Sequence, residues 1–169
     1  MRAALVALLF AACNDPILTG RLDTVPPVHR VAVDVVGSIV LVDEDADIET
    51  NNPTHIARAK EIHVPRDYRQ NMEEALRLAG FTVTANAGDK WDLHAKLALA
   101  VSESGQTVRQ VYRCNLKSPD GKVVAQIDWA WPEDTRVDGG EVYAFATHHL
   151  ATEIATSPEV NAYLASRKK

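Results

Sequence analysis

Apolar positions along this chain recur at two spacings, and the switch from one to the other marks its elements. Between His29 and Val42 (HRVAVDVVGSIVLV), Val31, Val33 and Val35 alternate with Arg30, Ala32 and Asp34. A strand points successive side chains to opposite faces, so this alternation predicts a half-buried strand, with Gly37 marking a bulge or bend. From Pro65 to Ala79 the spacing lengthens to that of a helix: Tyr68, Met72, Ala75, Leu76 and Ala79 fall on one stripe. Pro65 suits the first turn and Gly80 the stop after the last, with Arg66, Arg69, Glu73, Glu74 and Arg77 facing outward.

Alternation then returns. Phe81 to Ala85 forms one short strand. Trp91 to Val101 puts Trp91, Leu93, Ala95, Leu97, Leu99 and Val101 on one face, and Asp92, His94 and Lys96 on the other. Thr107 to Lys117 groups Val108, Tyr112, Cys114 and Leu116 opposite Arg109, Arg113 and Lys117. After the turn signal Pro119-Asp120-Gly121, Lys122 to Trp131 groups Val123, Ala125, Ile127, Trp129 and Trp131. Trp91 through Trp131 is therefore expected as a three-stranded antiparallel meander, which Pro132 ends. Asp138-Gly139-Gly140-Glu141 reads as a capping box with Asp138 as N-cap. The helix beyond it buries Val142, Phe145, Ala146, His149, Leu150 and Ile154, and Ser157-Pro158 opens a last short helix through Tyr163 and Leu164. The expected fold is α+β: a mainly antiparallel β-sheet with two or three helices packed on one face, and room for one parallel crossover.

The beginning of the chain has neither period. Arg2 is followed by ten apolar residues, Ala3 to Ala12, and then by Cys13. A helix of that length spans only about half of a ~30 Å hydrocarbon core, so it fits the apolar part of an export signal rather than a permanent span. Ala11 and Ala12 let a peptidase approach the backbone, and Cys13 offers a thiol for lipid attachment. The residues alone also allow an export signal cleaved without lipidation, or a buried apolar end. Leu9-Phe10-Ala11-Ala12-Cys13 resembles the lipobox of bacterial lipoproteins, with Phe10 where leucine is commoner. That resemblance implies a signal peptide over residues 1–12, diacylglyceryl transfer to Cys13 and cleavage before it. Several acyl chains then form a stable anchor, each buried methylene contributing ~0.8 kcal/mol. Asn14 follows the cysteine where an aspartate argues for inner-membrane retention, so the same resemblance favours the outer membrane, facing the periplasm.

Residues 13–28 are expected as the lipidated cysteine and a tether, and residues 29–169 as one domain. Asn14 to Pro27 mixes turn formers with isolated apolar residues, and as coil it spans ~20 Å, enough to clear a headgroup layer and no more. Removing residues 1–12 leaves 157 residues, which suffice for a substantial core. Loss of Arg2 takes the net charge from −5 to −6, so counterion release favours no nucleic-acid partner. With Cys13 on the anchor, Cys114 stands alone and no intramolecular disulfide is expected.

Candidate chemistry is sparse. Asp43 to Pro53 (DEDADIETNNP) is expected as a solvated loop, since a calcium loop needs a glycine where Ile48 stands and a glutamate where Thr54 stands. His149 and Glu153 have the i, i+4 spacing that zinc sites use, but no third ligand is near unless His94 approaches across the sheet. Asp92 and His94 share one strand face without a nucleophile presented on an elbow, although Ser102 and Ser104 follow. No catalytic residue, cofactor or metal is therefore assigned. Trp129 and Trp131 point the same way, and with Phe145 they are core packing or, functionally, a surface for a partner or ligand, since tryptophan is enriched in binding hot spots.

The segment from Ala75 to Ser102 (ALRLAGFTVTANAGDKWDLHAKLALAVS) resembles small periplasmic lipoprotein domains that assist envelope machines. These are activators of penicillin-binding proteins, auxiliary lipoproteins of lipid transporters, and the N-terminal domain of the Tol propeller protein. The likeness is one of architecture and carries over no binding residue. The expected role is a membrane-anchored, non-enzymatic binding or assembly module for another envelope protein. A carrier of a small apolar or lipid ligand, or an enzyme built on His94, Asp92 or His149, are the alternatives. An enzyme needs a polar cleft where the histidines converge, a carrier a roomy apolar pocket, and a binding module a filled core with an apolar patch at the surface.

Overall fold

Six strands form one mixed sheet and three helices cover one of its faces in the computed structural model, which describes residues 21–32, 37–41, 47–50, 64–86, 88, 90–104, 107–132, 135–137 and 141–168. The elements run β1 (Arg21–Leu22), β2 (Ser38–Val40), β3 (Asp47–Glu49), α1 (Val64–Leu78), β4 (Thr82–Thr84), β5 (Leu93–Ser104), β6 (Thr107–Lys117), β7 (Val123–Ala130), β8 (Thr135–Arg136), α2 (Val142–Thr156) and α3 (Pro158–Arg167). The sheet order is β4-β2-β5-β6-β7, with β3 also paired to β5. The fold is α+β as expected. Its longest ladders, β5 with β6 and β6 with β7, are the antiparallel meander. The pairings of β2 with β4 and β5, and of β3 with β5, are parallel, and β2–α1–β4 is the crossover for which the pattern left room. No helix among the described residues is long and apolar enough to cross a membrane.

The core lies between the sheet and the helices. Leu93, Ala95, Leu97 and Leu99 from β5, and Tyr112, Cys114 and Leu116 from β6, meet Tyr68, Met72, Ala75 and Leu76 of α1 and Leu150 and Ile154 of α2. Burial of this stripe, rather than helix propensity, is what holds α1 in place. The Tyr68 hydroxyl donates to the Arg113 carbonyl at 3.0 Å, so a ring buried against Tyr112 keeps its polar end satisfied.

Several expectations are corrected. Part of the acidic stretch read as a loop is strand β3: Ile48 packs on the core while Asp47 pairs with Lys96 at 2.9 Å and Glu49 with Arg113. The cations that neutralise these carboxylates come from β5 and β6, far along the chain. Val123, expected on the inner face, is 62% exposed. Leu116 pairs with Ala125 but Lys117 with Val123, so an extra residue bulges β7 and reverses the side-chain phase there. Trp91, read as an inner-face residue, precedes β5 and sets its ring 6.0 Å from that of His94. Arg69, read as outward, reaches back to donate to the Leu41 carbonyl at 3.2 Å while it pairs with Glu73.

The expected capping box is not the start of α2. Glu141 is its N-cap and makes no side-chain cap bond; Asp138 lies outside the described residues. Ser157 caps α3 as read, its hydroxyl accepting from the Val160 N–H with Pro158 in the first turn. Gly37 marks a close approach rather than a bend: a Cβ there would lie 2.5 Å from Leu164 Cδ2 on α3. Val33 and Val35, just before it, lie outside the described residues.

The segment from Arg21 to Val31 runs along α2. β1 pairs in parallel with β8, His148 Nδ1 donates to the Pro26 carbonyl at 2.8 Å, and the His29 N–H donates to Thr152 Oγ1 at 3.1 Å. The buried Val31 then donates its N–H to the Ala79 carbonyl. Residues 21–28, assigned to the tether from sequence, are thus laid on the folded domain. The signal segment 1–12 and Cys13 lie outside the described residues.

Candidate functional site

Trp129 and Trp131 sit two residues apart at the end of β7, so both indoles leave the same face of the sheet, towards α2. One helical turn of α2 brings Phe145 and His149 over them. The four rings interlock: Trp129 meets Trp131 edge-on at 5.4 Å, and Phe145 lies 5.8 Å from Trp129 and 5.4 Å from Trp131. His149 stacks flat on Trp129, with centroids 4.9 Å apart and 11° between the planes. Tyr112 backs the group from β6, where it pairs with Trp129. Phe145 is buried, whereas Trp129, Trp131 and His149 remain half-buried, so the cluster is rooted in the core and has an exposed rim. Trp129, Trp131 and Phe145, named together from the sequence, are in ring contact. The sequence read His149 as a buried helix position, a metal ligand or part of an enzyme site, and missed its stacking on Trp129.

Burial pushes the His149 imidazole below the usual histidine range, helped by neighbouring His148 and opposed by Glu153. Burial thus favours the neutral ring in this flat stack on the indole. Burial likewise pushes the Tyr112 hydroxyl well above its ordinary value.

The residues considered for catalysis are not brought together. His94 pairs across the sheet with Lys117, on the face away from the helices, and Lys117 pairs with Val123. His149 stacks on Trp129, six residues or ~20 Å further along β7 and on the helix-bearing face. Asp92 holds the structure together: its carboxylate accepts from the Ser38 N–H and hydroxyl, both at 2.9 Å, and from Arg167 Nε at 3.3 Å. Its carbonyl accepts from the Tyr163 hydroxyl, so one residue ties β2, β5 and α3 together. Cys114 is wholly buried and its thiol is pushed up to about 12. Among the described residues no group of three or more potential metal ligands converges.

A hollow of about 550 Å³ lies at the opposite end of β7, between the β6–β7 turn and α3. Pro119, Val123, Val124 and the Tyr163 ring give it apolar walls, and Lys122 and Arg167 line it with charge. Val123 and Val124, the residues at the bulge of β7, are part of its lining. An extra residue in a ladder has no local sequence signal, so the alternation of β7 gives no hint of it.

No family model and no curated protein matches the chain. Among solved structures it is similar to a PelC variant from Paraburkholderia phytofirmans, a dodecamer, with 13% identity over 82% of this chain and 93% of that one and a TM-score of 0.40. It is also similar to a DUF330 protein from Xanthomonas campestris, with 13% identity over 87% and 95% of the two chains and a TM-score of 0.38. Overlap at this level is too loose to carry a role, a site or an assembly from either protein to this one.

Proposed function

We propose that the chain is a lipid-anchored protein of the bacterial envelope that works without catalysis, as a binding or assembly module for another envelope protein. Cys13 is the anchor, and the outer membrane, facing the periplasm, is its place. The observation that supports a binding role is the fate of the candidate side chains. The aromatic ones converge on a rooted cluster with a half-buried rim, while Asp92, His94 and His149 are dispersed to separate places in the fold. Rings in mutual contact also favour a binding surface over a carrier's roomy pocket.

Two measurements test this. Intact mass of the membrane-extracted protein is expected to show a chain beginning at Cys13 with added acyl mass, absent from Cys13→Ser. A photo-crosslinking residue at Trp131 is expected to trap one discrete envelope protein in cells, lost when Trp129 and Phe145 are truncated to alanine in a variant that still folds by circular dichroism. An unmodified chain retaining Met1 would remove the anchor, and absence of any discrete adduct would remove the binding role.

A further inference from the structure

β1, where the described chain begins, and the aromatic rim lie at the same end of the domain. β1 pairs with β8, whose first residue, Thr135, follows Trp131 by four positions, and the chain then runs along α2 past His148, the neighbour of the stacked His149. Only eight residue steps separate Cys13 from Arg21, a span of at most ~28 Å fully extended and ~16 Å as coil. Whatever path those residues take, a chain of that length holds the β1–β8 end close to its anchor. The third tryptophan provides an opposite pole. Trp91 precedes β5, whereas Trp129 is level with Leu99 through Tyr112, six residues beyond the start of that strand and so at least ~20 Å away along the sheet.

Taking the lipoprotein reading of Cys13 as its basis, we infer that the domain stands on its membrane with the aromatic rim down, the edges of Trp129 and Trp131 lying in the headgroup layer of the bilayer that holds the anchor. Indole suits that layer, because its apolar body and N–H match the boundary between acyl chains and water. The rim then meets any protein partner at the headgroup level. The α3 end, with the hollow at Val123 and the charged Lys122 and Arg167, points away from the bilayer.

The chain holds three tryptophans, which makes the orientation readable. The lipidated protein is reconstituted into phosphatidylethanolamine–phosphatidylglycerol vesicles carrying lipids brominated near the headgroup, and tryptophan emission is compared with unbrominated vesicles. Trp91→Phe, which keeps the rim, is expected to lose at least about half its emission, since interfacial indoles contact a shallow bromine. The double variant Trp129→Phe/Trp131→Phe, which keeps Trp91, is expected to be unaffected. Should the double variant not fold, the native chain labelled with 5-fluorotryptophan gives the same contrast by broadening of two fluorine resonances with a headgroup spin label. Equal quenching of both variants, or quenching of Trp91 alone, would overturn the orientation. Flotation with the vesicles, compared with Cys13→Ser, separates the two claims. A chain that floats with an unquenched rim sinks the orientation and leaves the anchor standing; a chain that does not float sinks both.

Discussion

The imidazole of His149 lies flat on the indole of Trp129, 4.9 Å between centroids, and burial holds it below the usual histidine pKa. A base whose folded pKa is depressed gives stability that is complete above its unfolded value near 6.5 and is lost as pH falls towards the folded value. Native His149 therefore makes the protein less stable at pH 5.5 than at pH 7.5. His149→Phe keeps the aromatic contact and removes the proton, so its urea midpoint is expected to change less between the two pH values. His148 and Glu153, the groups that also act on this ring, are unchanged in the comparison. An equal pH dependence in both proteins would show that the stack does not carry it.

Asp92 is a second titrating tie. Burial alone would raise its pKa, but the hydrogen bonds from Ser38 and Arg167 outweigh that and lower it below the ordinary 3.8. The stabilisation is present above that value and is lost as pH falls through the depressed folded pKa. Asp92→Ala is expected to lose about 1.5–3 kcal/mol at neutral pH, the range for hydrogen bonds to a charged group. Urea denaturation also checks a second outcome: the difference from the native chain should shrink below about pH 4.

Gly37 has room for hydrogen only. With Leu164 Cδ2 2.5 Å from where a Cβ would stand, and Leu164 itself buried, Gly37→Ala forces the Leu164 side chain out of its packed position. A loss of about 1–3 kcal/mol is expected, as for other overpacked sites. Combining it with Leu164→Ala should cost less than the two single changes together, because the smaller side chain vacates the clash. Strict additivity in a double-mutant cycle would place the strain elsewhere.

Cys114 is expected to be inert while the protein is folded. Full burial pushes its thiol up to about 12 and excludes reagent. In a Cys13→Ser chain, where it is the one remaining thiol, Ellman's reagent at pH 8 should react only after denaturant is added. Prompt reaction in native buffer would mean that the sheet opens readily around β6.

Much of this molecule is legible along the chain. Thr107–Lys117 is a strand with the bounds its alternation predicts, and the stripe Tyr68, Met72, Ala75, Leu76 and Ala79 is buried throughout. Both follow from periodicity, which is local: the side-chain phase of a strand or helix depends on neighbours a few residues away. The same rule aimed Trp129 and Trp131 in one direction and put Phe145 on the inner face of its helix.

Where the reading failed, a distant segment intervened. Asp47 to Glu49 reads as solvated loop because its counter-charges, Lys96 and Arg113, are 49 and 64 positions on. Val123 turns outward because β6 sets the register of β7, and Asp92 and His94, read as neighbours on one strand face, part company: Asp92 precedes β5 and bonds to β2 and α3, while His94 pairs with Lys117 of β6. The order of residues is enough to specify the α+β class, the three helices, the strands of the meander and the lipobox-like start. It took the packed fold to stack His149 on Trp129 and to lay the segment from Arg21 to Pro26 against β8 and α2 beside the aromatic rim. Those relationships depend on strand register and helix packing, which are set jointly by segments far apart in the chain and leave no periodic trace in any one of them.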